Sequence, residues 1–187
     1  KRPKNYWLSV NRLAIHKRIE IQLKAFQKLP KENLIIVGSY EKGTNHFEKY
    51  KGYLEKIKPE NVKIINWIDN NKLIKLYSEC KGFITTSKNE DFGMTPIEAM
   101  ASGKPVIAPY EGGYIESIIN NKTGILIDDI NHNNLIESIK IINNELKKDP
   151  NKYRSACINQ ANKFDTKIFI KKIKNLFMNS NNFKKSL

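Results

Sequence analysis

Six short, mostly apolar runs punctuate the chain, each four or five residues long: Tyr6–Val10, Leu34–Val37, Val62–Ile65, Gly82–Thr85, Pro105–Ala108 and Gly124–Ile127. Between them apolar positions recur every three or four residues, the spacing of one helix face. The helical stretches are 17–28, 46–57, 70–79, 95–102 and 114–120, with more at 132–147, 151–163 and 166–178. Strands that read as continuous apolar runs belong to a sheet covered on both faces. Their alternation with helices therefore predicts an α/β fold: a doubly wound, Rossmann-like parallel sheet of about six strands. Right-handed crossovers put a ligand at the carboxyl ends of such strands, so chemistry is sought in the loops that follow them.

Composition changes this picture little. A chain of 187 residues with 40% hydrophobic content can close one core without disulfide or metal staples, and neither a repeat nor a linker divides it. Residues 1–178 read as one domain, and 179–187, beginning NSNNF, as a polar tail that frays. Cys80 and Cys157 lack ligand or redox spacing and read as small core residues. His16, His46 and His132 stand apart from one another and read as surface or structural residues.

The net charge of +14 would suit a nucleic acid. The excess is scattered, however, and neither an RNA-binding aromatic signature nor zinc-finger spacing accompanies it, so nucleic acid is not expected as a partner. Peripheral contact with an anionic membrane surface stays open. No apolar run approaches the roughly 18 residues of a membrane span, and KRPKNYWLSV leads into a strand rather than a signal sequence, so a cytoplasmic protein is expected.

The most informative stretch is Lys88 to Pro109, KNEDFGMTPIEAMASGKPVIAP. Thr95, Pro96 and Glu98 have the spacing of a helix start, with Thr95 as N-cap, Pro96 at the first helical position and Glu98 as the return arm of a capping box. Phe92 and Gly93 allow backbone amides at that helix start to face an anion such as a diphosphate. Glu98 can be a cap or an acceptor for vicinal hydroxyls. Glu90, eight residues earlier, can be a solvated loop charge or a second such acceptor.

Two glutamates separated by seven residues around FGMTPIEAMASGKPVIA resemble the signature of the large retaining GT-B glycosyltransferase family, group 1, and its mannosyltransferase branch in particular. Ser9–Arg18, SVNRLAIHKR, is similar to that family's Gly-Arg-Leu…Lys-Gly segment, with Asn11 and Arg18 where glycines are usual. The resemblance implies the C-terminal, donor-binding half of a GT-B fold, with the acceptor half absent from this sequence. It assigns Glu90 to hydroxyls of the transferred sugar and Glu98 to the ribose. Amides near Phe92, Gly93, Met94 and Thr95 would hold sugar and phosphates, and Arg12 and Lys17 would neutralise the diphosphate, with Arg18 as a possible third cation. Gly38 and Tyr40, in Val37-Gly38-Ser39-Tyr40, and Trp67 and Ile68, in Asn66-Trp67-Ile68, fall where the base is recognised. Tyr40 is a candidate wall for the base, whereas Trp67 is read rather as core. The Glu111-Gly112-Gly113 loop resembles the family's Gly-Gly turn.

The implied reaction transfers a hexose, mannose from GDP-mannose, with retention to a glycan or lipid-linked acceptor. This half alone is expected to bind donor without transferring it. With no Asp-x-Asp motif, no metal is expected, and the nucleotide sugar is a substrate rather than a cofactor. Two competing readings are a nucleotide-sugar epimerase of the same architecture and a non-catalytic nucleotide-sugar-binding module. The absence of G-x-G-x-x-G weakens a dehydrogenase reading.

Overall fold

In the computed structural model residues 3–40 and 45–183 are described, with the side chains of His46 and of 178–183 outside that description. Among these residues lies one parallel sheet with strand order β3-β2-β1-β4-β5-β6. The strands are β1 (Trp7–Val10), β2 (Leu34–Val37), β3 (Val62–Ile65), β4 (Phe83–Ile84), β5 (Val106–Pro109) and β6 (Gly124–Ile127). The register runs Trp7 to Leu34 and Val10 to Val37 between β1 and β2, and Leu34 to Val62 and Val37 to Ile65 between β2 and β3. Those three strands therefore end level with one another. The order reverses between β1 and β4, and the loops leaving that switch point are free to build a site.

Helices α1 (Ile19–Gln27), α2 (Asn45–Ile57), α3 (Asn70–Glu79), α4 (Met94–Ala101), α5 (Tyr114–Ser117), α6 (His132–Lys148), α7 (Arg154–Asn162) and α8 (Thr166–Phe183) follow the strands. Helix α1 packs on α2 and α6, and α4 packs on α3 and α7, which sorts them into two layers. Trp7, Leu8, Leu34, Ile36, Phe83, Ile84, Val106 and Ile107 are fully buried between those layers, as the apolar runs require. Cys80 and Cys157 are buried there too, and burial pushes both thiols up to about 12, so neither is a nucleophile at neutral pH. Helix α6 begins where the Asn131 side chain accepts the amides of Asn133 and Asn134, and it buries Leu135, Ile136, Ile139 and Ile142 along one face.

Several boundaries differ from the sequence reading. The stretch 17–28 is a 3-10 turn, Ile15–Lys17, followed by α1, because Arg18 between them adopts a left-handed backbone, φ 50° and ψ 42°. Helix α5 stops at Ser117, where Ile118 turns extended and the Thr123 hydroxyl takes the amide of Ile119. Helix α8 continues past Asn179, the first residue of the expected tail, to Phe183. Its apolar side chains Phe169, Ile173, Leu176 and Phe177 face solvent. No helix among the described residues is long and apolar enough to cross a membrane.

Candidate donor site

A cleft of roughly 300 Å3 opens at the carboxyl ends of β1, β2 and β3. Val10, Asn11 and Arg12 form one side, Val37, Gly38 and Ser39 the second, and Trp67, Ile68, Asn70 and Leu73 the third, with Thr95 of α4 closing the rim. Larger hollows, of roughly 350 and 510 Å3, lie at the opposite end of the sheet, lined by residues such as Lys28, Glu32, Lys81 and Lys147, away from the loops at the switch point. Gly38 is required where it stands. A side-chain carbon there would lie 1.7 Å from the Asn11 carbonyl oxygen, so only glycine lets β1 and β2 end this close together.

Trp67 is 82% exposed and walls the cleft, which overturns its reading as core. An indole left this open on a cleft rim is available for stacking. Tyr40 takes the opposite course. It pairs with Leu13 in an isolated bridge, its half-buried ring lies under the Lys51 ammonium at 5.7 Å, and it does not line the cleft.

The loop from Thr85 to Met94 carries the acidic residues. Lys17 Nζ donates to Glu90 Oε2 at 2.6 Å, so the two residues expected on different parts of one ligand meet in an ion pair. Burial works against the Glu90 charge, yet the hydrogen bond from Lys17 and its positive charge outweigh it and hold the carboxyl below the usual carboxylate range. The Glu90 backbone is fixed from behind, where its carbonyl accepts the amide of Gly113 at 2.8 Å. A side-chain carbon on Gly113 would sit 2.4 Å from the Asp91 carbonyl oxygen. The Gly-Gly turn, whose purpose the sequence left open, is thus the seat on which the Glu90 loop rests.

Helix α4 starts differently from the expected capping box. Its N-cap is Gly93, with φ 76°, and Met94 is the first helical residue, so Thr95 is not the cap and Glu98 is not its return arm. The left-handed turn at Gly93 begins the helix two residues before a Thr95 cap would have done. No side chain caps it, and the amides of Met94 and Thr95 remain available to an anion. Glu98, freed from capping, is exposed and accepts the Tyr77 hydroxyl at 2.8 Å. Phe92 and Met94 are exposed, and Phe92 meets Phe164 edge to face at 5.8 Å.

The Arg18 guanidinium, a candidate third cation, is engaged within the protein. Its Nε donates to the Thr86 carbonyl at 2.6 Å and its Nη2 to Glu111 Oε1 at 2.7 Å. Arg12 is exposed and lines the cleft. His16 and His132 are not brought together: the His16 carbonyl accepts the amide of Lys88, and His132 lies beside Lys28.

Several residues of this region were not singled out from the sequence. Thr86 donates to the carbonyl of Lys17 at 2.7 Å, and the buried Tyr114 hydroxyl shares a hydrogen bond with Thr85 Oγ1 at 2.9 Å. The signal for them was Thr85-Thr86-Ser87, a polar run that continues a buried strand and is itself buried. Buried hydroxyls usually take hydrogen-bond partners, and those of Thr85 and Thr86 do.

Comparisons with known proteins agree with this architecture. The family model described as "Glycosyl transferases group 1" matches residues 1–164. The alpha-1,3/1,6-mannosyltransferase ALG2 of Dictyostelium discoideum is 32% identical over 142 residues, covering 66% of this chain and 34% of that protein. A glycosyltransferase from Rickettsia africae superposes with a TM-score of 0.80 at 26% identity over 94% of this chain and 48% of the other. Sucrose-phosphate synthase from Thermosynechococcus elongatus gives 0.80 at 24% identity, over 96% and 45%, which speaks for the fold alone. The chain spans about a third of the length of the mannosyltransferases it matches.

Proposed function

This chain belongs to the glycosyl transferases group 1 family, and we propose that it is the donor-binding half of a retaining hexosyltransferase that takes mannose from GDP-mannose. The observation that carries the reading is that one cleft at the switch point gathers Arg12, Gly38, Trp67, Ile68 and Thr95, and that the two loops supplying Arg12 and Thr95 also supply the Lys17–Glu90 pair. A nucleotide sugar has parts that suit each. The base stacks on Trp67, the ribose hydroxyls reach Glu98, and the diphosphate lies between Arg12, Lys17 and the uncapped amides of α4. The sugar hydroxyls reach Glu90.

In the reaction the bond between the anomeric carbon and the leaving phosphate oxygen breaks as an acceptor hydroxyl attacks on the same face and gives its proton to the departing phosphate oxygen. Negative charge builds on the departing nucleoside diphosphate. Arg12, Lys17 and the start of α4 are placed to stabilise that charge, without a metal in this reading. The acceptor, a glycan or a lipid-linked sugar, is bound by a further domain, in the cytoplasm or at the cytoplasmic face of a membrane with which the enzyme makes peripheral contact. The mannosyltransferase name of the relatives supports mannose, and an axial 2-hydroxyl gives the site a group by which to reject glucose.

The test is a side-by-side calorimetric titration with GDP, UDP and ADP, followed by transfer assays of the enzyme with its acceptor domain. GDP should bind best, and GDP-mannose should yield an α-linked product. A preference for UDP of tenfold, about 1.4 kcal/mol, would remove the mannose assignment and leave the family standing.

A further inference from the structure

Lys17 and Glu90 face each other at 2.6 Å with side-chain exposures of only 14% and 26%, so water screens the pair weakly. Nor is it a chance contact of two mobile surface chains. The Lys17 carbonyl is held by the Thr86 hydroxyl, and its amide by the Ala14 carbonyl at 2.9 Å. The Glu90 carbonyl is held by Gly113. Both ends of the ion pair are anchored through their backbones, and the pair is preorganised.

The two partners have opposite requirements. An ammonium can pass from a carboxylate to a phosphate at little loss, because one anion replaces another. The abandoned carboxylate, partly buried, then needs new donors, and leaving it without them costs free energy. A bare nucleoside diphosphate offers phosphate to Lys17 and nothing to Glu90. A nucleotide sugar offers phosphate to Lys17 and hydroxyl donors to Glu90.

We infer that the Lys17–Glu90 ion pair is a specificity device that resists free nucleoside diphosphate and yields to nucleotide sugar, so that product leaves more readily than donor. This rests on the donor-site reading above and adds to it a residue, Glu90, that discriminates donor from product by competing for the phosphate's cation. The carboxylate is ionised throughout the neutral range, so the competition operates at working pH.

The experiment is calorimetry of this chain with GDP and with GDP-mannose, and with UDP and UDP-glucose in parallel, for the native sequence, Glu90→Gln, Lys17→Met and the double variant. Removing the carboxylate's charge should tighten nucleoside diphosphate by about fivefold, the equivalent of a partly exposed ion pair. It should weaken the nucleotide sugar, so that the preference for sugar shrinks or inverts. In the Lys17→Met background the gain for diphosphate should vanish, which a general change in folding would not produce. Diphosphate affinity unchanged or weakened by Glu90→Gln, with melting unaltered, overturns the inference alone, because Lys17 would then hold phosphate and carboxylate together. Absence of binding by any nucleotide or nucleotide sugar to the native chain removes the donor-site reading and the inference with it.

Discussion

The Arg18 guanidinium meets the Glu111 carboxylate at 2.7 Å, across 93 residues of sequence, and ties the turn carrying Lys17 to the Gly-Gly turn that seats Glu90. Related sequences are expected to have glycine at the position of Arg18, and the backbone explains why: φ of 50° is a conformation glycine adopts without strain. This chain accepts that strain and uses the side chain as a brace, with further bonds from Arg18 to the carbonyls of Thr86 and Ser87.

The brace predicts an asymmetry among substitutions. Arg18→Gly relieves the left-handed backbone but loses every one of those hydrogen bonds. Arg18→Lys keeps the charge and loses the fork that reaches two carbonyls and a carboxylate at once. Both should lower stability, Arg18→Lys by about 1–2 kcal/mol, since hydrogen bonds to charged groups outweigh a single strained dihedral. Glu111→Gln should cost less, because the carbonyl contacts survive. Denaturant melts of the three variants check the order, and Arg18→Gly melting above the native protein would show that the brace contributes nothing.

Charge in the cleft makes a separate prediction. Arg12→Ala and Lys17→Ala should each weaken binding of nucleoside diphosphate and flatten its dependence on salt, since the lost term is the screened one. Nucleoside without phosphates should bind the variants as it binds the native chain. Equal losses for nucleoside and diphosphate in titrations at two salt concentrations would point to a damaged fold.

Most strands were legible because they are short runs of largely buried apolar residues, although the edge strand β3 exposes Lys63. The glutamate spacing was legible as well, since Glu90 and Glu98 lie on one continuous loop and helix. Long-range contacts were not. Nothing local to Arg18 announces a partner at Glu111, and Tyr114 reads as an ordinary aromatic until its hydroxyl is found on Thr85. Trp67 was misread because large aromatics are usually core, and only the level ends of β1, β2 and β3 show that it stands at the mouth of a cleft. The capping box failed for a backbone reason: a glycine at φ 76° starts the helix before the threonine can.

Trp67 supplies its own assay. The chain has two tryptophans, and the other, Trp7, is fully buried with its indole N–H on Glu32. Nucleotide binding should therefore quench and shift the emission of the exposed Trp67 and leave Trp7 unaltered. Trp67→Phe should abolish the signal while keeping most of the affinity. Trp67→Ala should cost on the order of 1 kcal/mol, the low end of base–aromatic stacking for a ring with one open face. A nucleotide-dependent signal that persists in Trp67→Phe would mean that the base does not lie against this wall.

Two glycines give a paired test of how α4 begins. An alanine carbon at Gly93 would meet the Tyr114 ring at 2.9 Å, on a backbone with φ of 76°. The ring cannot retreat, since Tyr114 is 1% exposed and its hydroxyl is bound to Thr85. Left-handed strain and overpacking together should make Gly93→Ala cost about 2–4 kcal/mol. Gly52 lies in α2 with nothing within 4 Å of the added carbon, and there alanine should stabilise by about 0.5–1 kcal/mol through helix propensity. Thermal melts should therefore move in opposite directions for the same chemical change. Gly93→Ala should also lose diphosphate affinity, because the amides of Met94 and Thr95 depend on that turn for their direction, whereas Gly52→Ala should bind as the native chain does. A Gly93→Ala protein that melts and binds normally would place the start of α4 elsewhere, and with it the anion site assigned to those amides.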